Sequence, residues 1–125
     1  MTLKTKRAYE PASPSDGKRY LVDRLWPRGV TREELAIDGW LKEIAPSDDL
    51  RKWFGHDPKK FPEFRRRFLE ELTPRRELLD RLADEAREGA VTLIFGEKDA
   101  EHCNAGVLRE ILANKLRSRR SIQKV

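Results

Sequence analysis

Apolar residues fall along this chain in two alternating patterns, short continuous runs and longer stripes that recur every three or four positions. Val91 to Phe95 reads Val-Thr-Leu-Ile-Phe, the pattern of a strand in a parallel sheet covered on both faces. Tyr20 to Val22 is a second, shorter run. Leu3 to Tyr9 can form a first strand, polar enough to lie at a sheet edge. Pro11 to Lys18, rich in Pro, Ser, Asp and Gly, is a loop.

A long helical excursion separates the second and third strands. Thr31 followed by Glu34 is a capping box, which starts a helix near Arg32. Ser47 can cap a short helix with Leu50, Trp53 and Phe54 on one face and Gly55 as its stop. Phe61, Phe64, Phe68 and Leu72 form one helical stripe. Proline cannot lie deep inside a helix, so regular helix begins at Pro62. Thr73-Pro74 opens the next helix, with Leu78, Leu82 and Ala86 inward and Gly89 ending it. Ala105, Leu108 and Leu112 mark a last helix entered near Asp99. The order strand, strand, helices, strand, helix predicts an α/β fold. It is a single compact domain on a small, mostly parallel sheet of about three strands, covered by roughly five helices.

Composition narrows the class. A chain of 125 residues supports one domain. Its longest apolar run is far below the roughly 20 residues a membrane span requires, so no membrane partner is expected. The N-terminus lacks an apolar signal region, and one cysteine forms no internal disulfide; a cytoplasmic protein is expected. The net charge is +5, but Lys115, Arg117, Arg119, Arg120 and Lys124 face no acid after residue 110. Removing those five from the 27 Lys and Arg leaves as many bases as acids, 22. The domain is therefore placed at 1–114, and 115–125 is read as a basic tail that frays, one that would also raise affinity for phosphate backbones.

Three stretches are dense in polar and aromatic groups: Leu-Val-Asp-Arg-Leu-Trp-Pro-Arg-Gly at 21–29, Trp-Phe-Gly-His-Asp-Pro at 53–58, and Glu-Lys-Asp-Ala-Glu-His-Cys-Asn at 97–104. At these spacings the chain resembles the YeaO-like family of small bacterial proteins, domain of unknown function 488, from about Lys6 to Leu112. The resemblance implies a family and no particular activity.

Ligands of open α/β sheets collect beyond the carboxyl ends of the strands. Asp23 to Arg28 follows the second strand and Gly96 to Cys103 the third. Parallel strands would bring these loops to one edge, where helix dipoles favour anions. There Asp23, Arg24, Trp26, Arg28, Lys98 and Asp99 are candidate ligand-binding residues, the guanidinium forks suiting a phosphate or carboxylate. The structural alternative is an ion pair with Trp26 plugging the core, and Asp99 capping the last helix. His56, Asp57 and His102 are candidate acid–base residues, histidine titrating near neutrality; Asp57 before Pro58 also fits a turn. Trp40, Trp53 and the phenylalanine stripe have core spacing rather than that of a base-stacking platform.

His102-Cys103 with Arg109 matches the His-Cys-(five residues)-Arg loop of cysteine-dependent phosphatases, in which a thiolate attacks phosphorus. In those enzymes the strand runs almost directly into the pair, whereas here seven residues, Gly96 to His102, intervene. The YeaO-like pattern commonly has asparagine where this chain has Cys103. No close-spaced ligand pair marks a metal site, and no cofactor is indicated. The sequence therefore points to a small cytoplasmic enzyme or binder of a phosphorylated or nucleotide-like anionic ligand. The alternative is a regulatory or nucleic-acid-associated module using the basic tail, and a phosphatase is a remote third.

Overall fold

Alternation within a single strand divides the molecule into two apolar layers. The computed structural model describes residues 2–123, and in it β4 (Ala90–Phe95) turns Val91, Leu93 and Phe95 to one side and Ile94 to the other. Successive strand residues face opposite ways, so a run apolar at nearly every position must be covered twice. The larger layer holds Phe54, Phe64, Phe68, Leu82 and Leu108. The smaller is Ala8, Leu21, Leu35 and Ile94, with Trp26, Val30, Ile37 and Trp40 packed against it.

The described residues form a four-stranded, wholly parallel sheet in the order β1-β4-β2-β3, from β1 (Thr2–Arg7), β2 (Lys18–Leu21) and β3 (Gly39–Trp40) with β4. The first strand lies at an edge, as its polarity requires. Five α-helices accompany the sheet: α1 (Arg32–Leu35), α2 (Asp48–Phe54), α3 (Phe61–Leu72), α4 (Arg76–Glu88) and α5 (Asn104–Gln123). None is long and apolar enough to cross a membrane, among the described residues. The expected tail reaches beyond them: Lys124, Val125 and the side chains of residues 119–123 lie outside what is described.

Local signals set most boundaries. Thr31 and Glu34 form the reciprocal capping box of α1. Ser47 accepts from Leu50 N at the start of α2, and Gly55 ends that helix at φ 54°, in the left-handed region that glycine enters without penalty. The Ser47 hydroxyl also donates to Glu71 Oε2 at 2.6 Å, tying α2 to α3. Pro62 is in the first turn of α3. Thr73–Arg75 is a 3-10 turn, and α4 buries Leu79, Leu82, Ala83 and Ala86, leaving Leu78 partly covered. The strand missed by periodicity is β3, two residues aligned with Tyr20 and Leu21. Its position comes from Asp38, whose Oδ2 accepts from Arg19 N at 2.8 Å and whose N donates to Arg19 O at 2.7 Å.

On the smaller layer's side the loop between β1 and β2 crosses the start of β4 at close range. A Cβ on Gly17 would lie 2.2 Å from the Ala90 carbonyl oxygen, so only glycine fits. Beside it the fully buried Asp16 carboxylate meets Lys4 at 2.9 Å, Lys6 at 3.0 Å and Arg19 at 2.6 Å. Burial alone would raise this carboxyl's pKa, but hydrogen bonds from Lys4, Lys6, the Ser13 amide and Arg19 outweigh it and hold the group well below the usual carboxylate range.

Asp16→Asn would leave these cations without their counter-charge. It is expected to cost roughly 3 kcal/mol, as when one partner of a buried pair is removed, measured by urea unfolding at pH 7. Because the folded pKa lies below the unfolded value of about 3.9, the stabilisation is complete above that value. It is withdrawn as pH falls toward the folded pKa. Wild-type stability should therefore drop below about pH 4 more steeply than that of the asparagine variant.

Candidate functional site

Parallel pairing sets the carboxyl ends of β2 and β4 side by side, and Val22 N donates to Ile94 O at 3.0 Å as the strands finish. The next residue, Asp23, fastens the two following loops together. Its Oδ2 accepts from Gly96 N at 2.8 Å and its Oδ1 from Asn104 Nδ2 at 3.1 Å. Asn104 also donates to Val22 O at 2.9 Å, so the first residue of α5 is anchored to the end of β2. Burial raises the Asp23 pKa, against the opposing pull of the Gly96 amide, the Asn104 amide and His56.

Above this junction opens a cleft of about 430 Å³, within the usual range for small-molecule sites. Asp23, Arg24, Leu25, Trp26 and Pro27 line it from the β2 side, and Gly96, Glu97, Lys98, Cys103 and Asn104 from the β4 side. The helical excursion supplies Pro46, Arg51, Phe54, His56 and Phe64. The excursion thus does reach the strand ends.

Its charges are sorted by position. At one end Arg24 Nε donates to Pro46 O at 3.0 Å and lies 4.0 Å from Asp48, which also accepts from Arg51 Nη2 at 3.3 Å. Arg51 Nε is buried and has no acceptor among the described residues. At the other end His56 Nδ1 contacts Glu97 Oε2. Glu97 Oε1 accepts from Lys98 N at 2.7 Å and Asp99 N at 3.1 Å, and its carbonyl accepts from Arg7 Nε at 3.1 Å. His56 has φ 60°, a left-handed conformation that is costly for a residue with a Cβ and that here swings its ring toward the β4 loop.

Of the residues singled out from sequence, Asp23, Arg24, Trp26, His56 and Lys98 line the cleft. Trp26 packs edge-on against Trp40 at 5.5 Å and donates to Val30 O at 2.7 Å, so it both plugs the smaller core and forms cleft wall. Arg28, Asp57, Asp99 and His102 are not among the lining residues. The Arg28 side chain is exposed, and its carbonyl accepts from the Tyr9 hydroxyl at 3.2 Å. Asp57 caps the turn at Pro58–Lys60. Asp99 Oδ1 accepts from Glu101 N and His102 N, capping a turn that precedes α5 rather than α5 itself. A hydrogen bond from His102, whose Nδ1 lies 2.8 Å from Asp99 Oδ2, lowers the Asp99 pKa. The same ring packs edge-on against Phe61 at 5.2 Å, toward α3. His102 therefore precedes the helix instead of occupying its first turn. Arg51, Glu97 and Asn104 were not singled out. The latter two stand inside a polar stretch that signalled the site, while Arg51 is one charge among many on α2.

The phosphatase arrangement does not form. Cys103 is buried, and burial raises its thiol pKa, with Asp23 and Asp99 adding to the effect and the Ala105 and Gly106 amides opposing it. Arg109 Nε donates instead to Leu3 O at 3.2 Å, near the start of β1 and away from the strand ends. A thiolate nucleophile needs the reverse environment. Native protein at pH 7.5 should react with a thiol-specific chromogenic disulfide at least about a hundredfold more slowly than urea-unfolded protein; equal rates would remove this assignment.

Comparison with known proteins agrees over nearly the whole length. The family model described as "Inactive DUF488-N3 subclade" matches residues 2–124. "Uncharacterized protein YeaO" of Escherichia coli (strain K12) is 44% identical over 112 residues, 90% of this chain and 97% of its own. "Uncharacterized protein Rv3073c" of Mycobacterium tuberculosis (strain ATCC 25618 / H37Rv) is 36% identical over 110 residues, 88% of this chain and 92% of its own. No solved structure matches significantly. A match from end to end and relatives covered almost completely place the chain in the YeaO-like DUF488 family.

Proposed function

We propose that this protein binds a small anionic ligand, phosphorylated or nucleotide-like, in the cleft at the carboxyl ends of its strands. The observation that carries the reading is Arg51, which lines that cleft and pairs with Asp48 alone among the described residues. Its guanidinium presents a planar fork of donors that an oxyanion in the cleft would meet. Arg24 stands beside it, and two arginines against one shared carboxylate, Asp48, leave that end net positive.

Binding without turnover is the form the reading takes. Of the acid–base set, His56 lines the cleft but Asp57 and His102 do not, and His56 is engaged by Glu97. Description of the matching subclade as inactive supports the same choice.

A thermal-shift screen of the purified protein with inorganic phosphate, pyrophosphate and nucleotides tests the proposal. An anion at about 100 times its dissociation constant should add roughly 2.7 kcal/mol, several degrees in a domain of this size. Arg51→Ala should abolish the shift and Arg28→Ala should retain it. The opposite pattern, or no shift with any anion, would refute the reading.

A further inference from the structure

The two ends of the cleft ask for different groups on one ligand. At the Arg24–Arg51 end the free capacity is donor capacity, since guanidinium groups accept nothing and one carboxylate, Asp48, is shared between the two. The Asp23–Glu97 end adds acceptor capacity. A carboxylate offers about four lone-pair sites. Asp23 receives hydrogen bonds from Gly96 N and Asn104, and Glu97 receives them from Lys98 N, Asp99 N and His56. Each carboxylate therefore keeps room for a further donor.

That donor should be neutral. The His56 imidazole and the Lys98 ammonium already line the same end, so a further cation would meet them as well as the acids. Two adjacent hydroxyls satisfy two carboxylates without adding charge. The same lining includes apolar and aromatic side chains: Trp26, Leu25, which is 57% exposed, and the largely buried Phe54 and Phe64, stacked at 4.4 Å. Leu25 is one of the few large apolar side chains left uncovered among the described residues, and its place on the cleft is where a flat ring would cover it.

Resting on the anion-binding reading above, we infer that the ligand is a ribonucleoside 5′-monophosphate. Its phosphate lies at Arg24 and Arg51, its ribose diol at Asp23 and Glu97, and its base against Trp26 and Leu25. Phosphate recognition by arginine forks and diol recognition by a carboxylate beyond a parallel strand are each general. What the cleft adds is both, in one lining that also carries Trp26 and Leu25.

Calorimetric titration of the wild-type protein with the four common ribonucleoside 5′-monophosphates comes first. The tightest is then compared with its 2′,3′-dideoxy analogue and with the nucleoside lacking phosphate. Loss of either group should weaken binding roughly 10- to 100-fold, the size of a hydrogen bond to a charged partner. In Glu97→Gln the ribose and dideoxyribose forms should bind nearly alike while the phosphate preference persists; in Arg51→Ala the pattern should invert. A dideoxy analogue that binds wild type as tightly as the ribonucleotide overturns the diol assignment and leaves the anion reading standing. Arg51-dependent binding of phosphate or pyrophosphate with no nucleotide binding does the same. If no anion binds, both fall. Because the analogue series is run on unmodified protein, a misfolded variant does not rescue the inference.

Discussion

A carboxylate taken wholly out of water must be given positive charge, and in this domain that requirement organises the sheet. Asp16 stands in the connection between β1 and β2, which are not neighbours, and it reaches Lys4 and Lys6 on one and Arg19 on the other. Between them Thr92 of β4 donates its hydroxyl to Asp16 O at 2.7 Å. One residue thus spans three strands. Three cations around one acid would be unfavourable if all were enclosed. The lysines, however, keep partial contact with water, and Arg19 gives two further donors to Leu35 O at 2.7 and 3.0 Å. That last contact extends the network to α1 and fixes the polypeptide leading into β3.

The second strand carries another acid at its far end, and the contrast between the two is instructive. Asp16 is surrounded by cations and its pKa falls; Asp23 is largely desolvated against amides and its pKa rises. Neutral donors stabilise a carboxylate, but they do not offset desolvation as full positive charge does. Asp16 therefore serves the fold as a committed anion. Asp23 holds the β2 loop, the β4 loop and the start of α5 in register while staying at the floor of an open cleft. The same interaction that closes the carboxyl edge of the sheet also shapes the site.

The cleft owes its third wall to chain that is remote in sequence from the strand ends. Phe54 and Phe64 belong to a ladder of rings with Phe61 and Phe68 that packs α2 against α3, and this packing sets Arg51 and His56 over the sheet edge. Placement of the arginine is a consequence of core burial rather than of any local motif. The pairing of His56 with Glu97 then depends on a backbone conformation that the short Gly55–His56 turn imposes.

Much of this architecture was readable along the chain. Caps at Thr31 and Ser47, the stop at Gly55 and the stripe from Phe61 to Leu72 act within a few residues, and periodicity records them directly. The apolar run at 91–95 announced a strand buried on both faces because nothing else can bury such a run in a small α/β domain. Asp23, Arg24, Trp26 and Lys98 were legible as residues of the carboxyl edge because strand ends are where such loops converge. Other features were decided only by the tertiary structure. The two-residue β3 has no period of its own and exists through Asp38 and the backbone of β2. Arg28, Asp57 and His102 turned away because each found a nearer partner or open water. Arg51 and Glu97 entered because packing of distant helices and a parallel crossover brought them there. Sequence determined the elements and the edge at which they meet; side-chain direction at that edge was settled by long-range contacts, which no local pattern encodes.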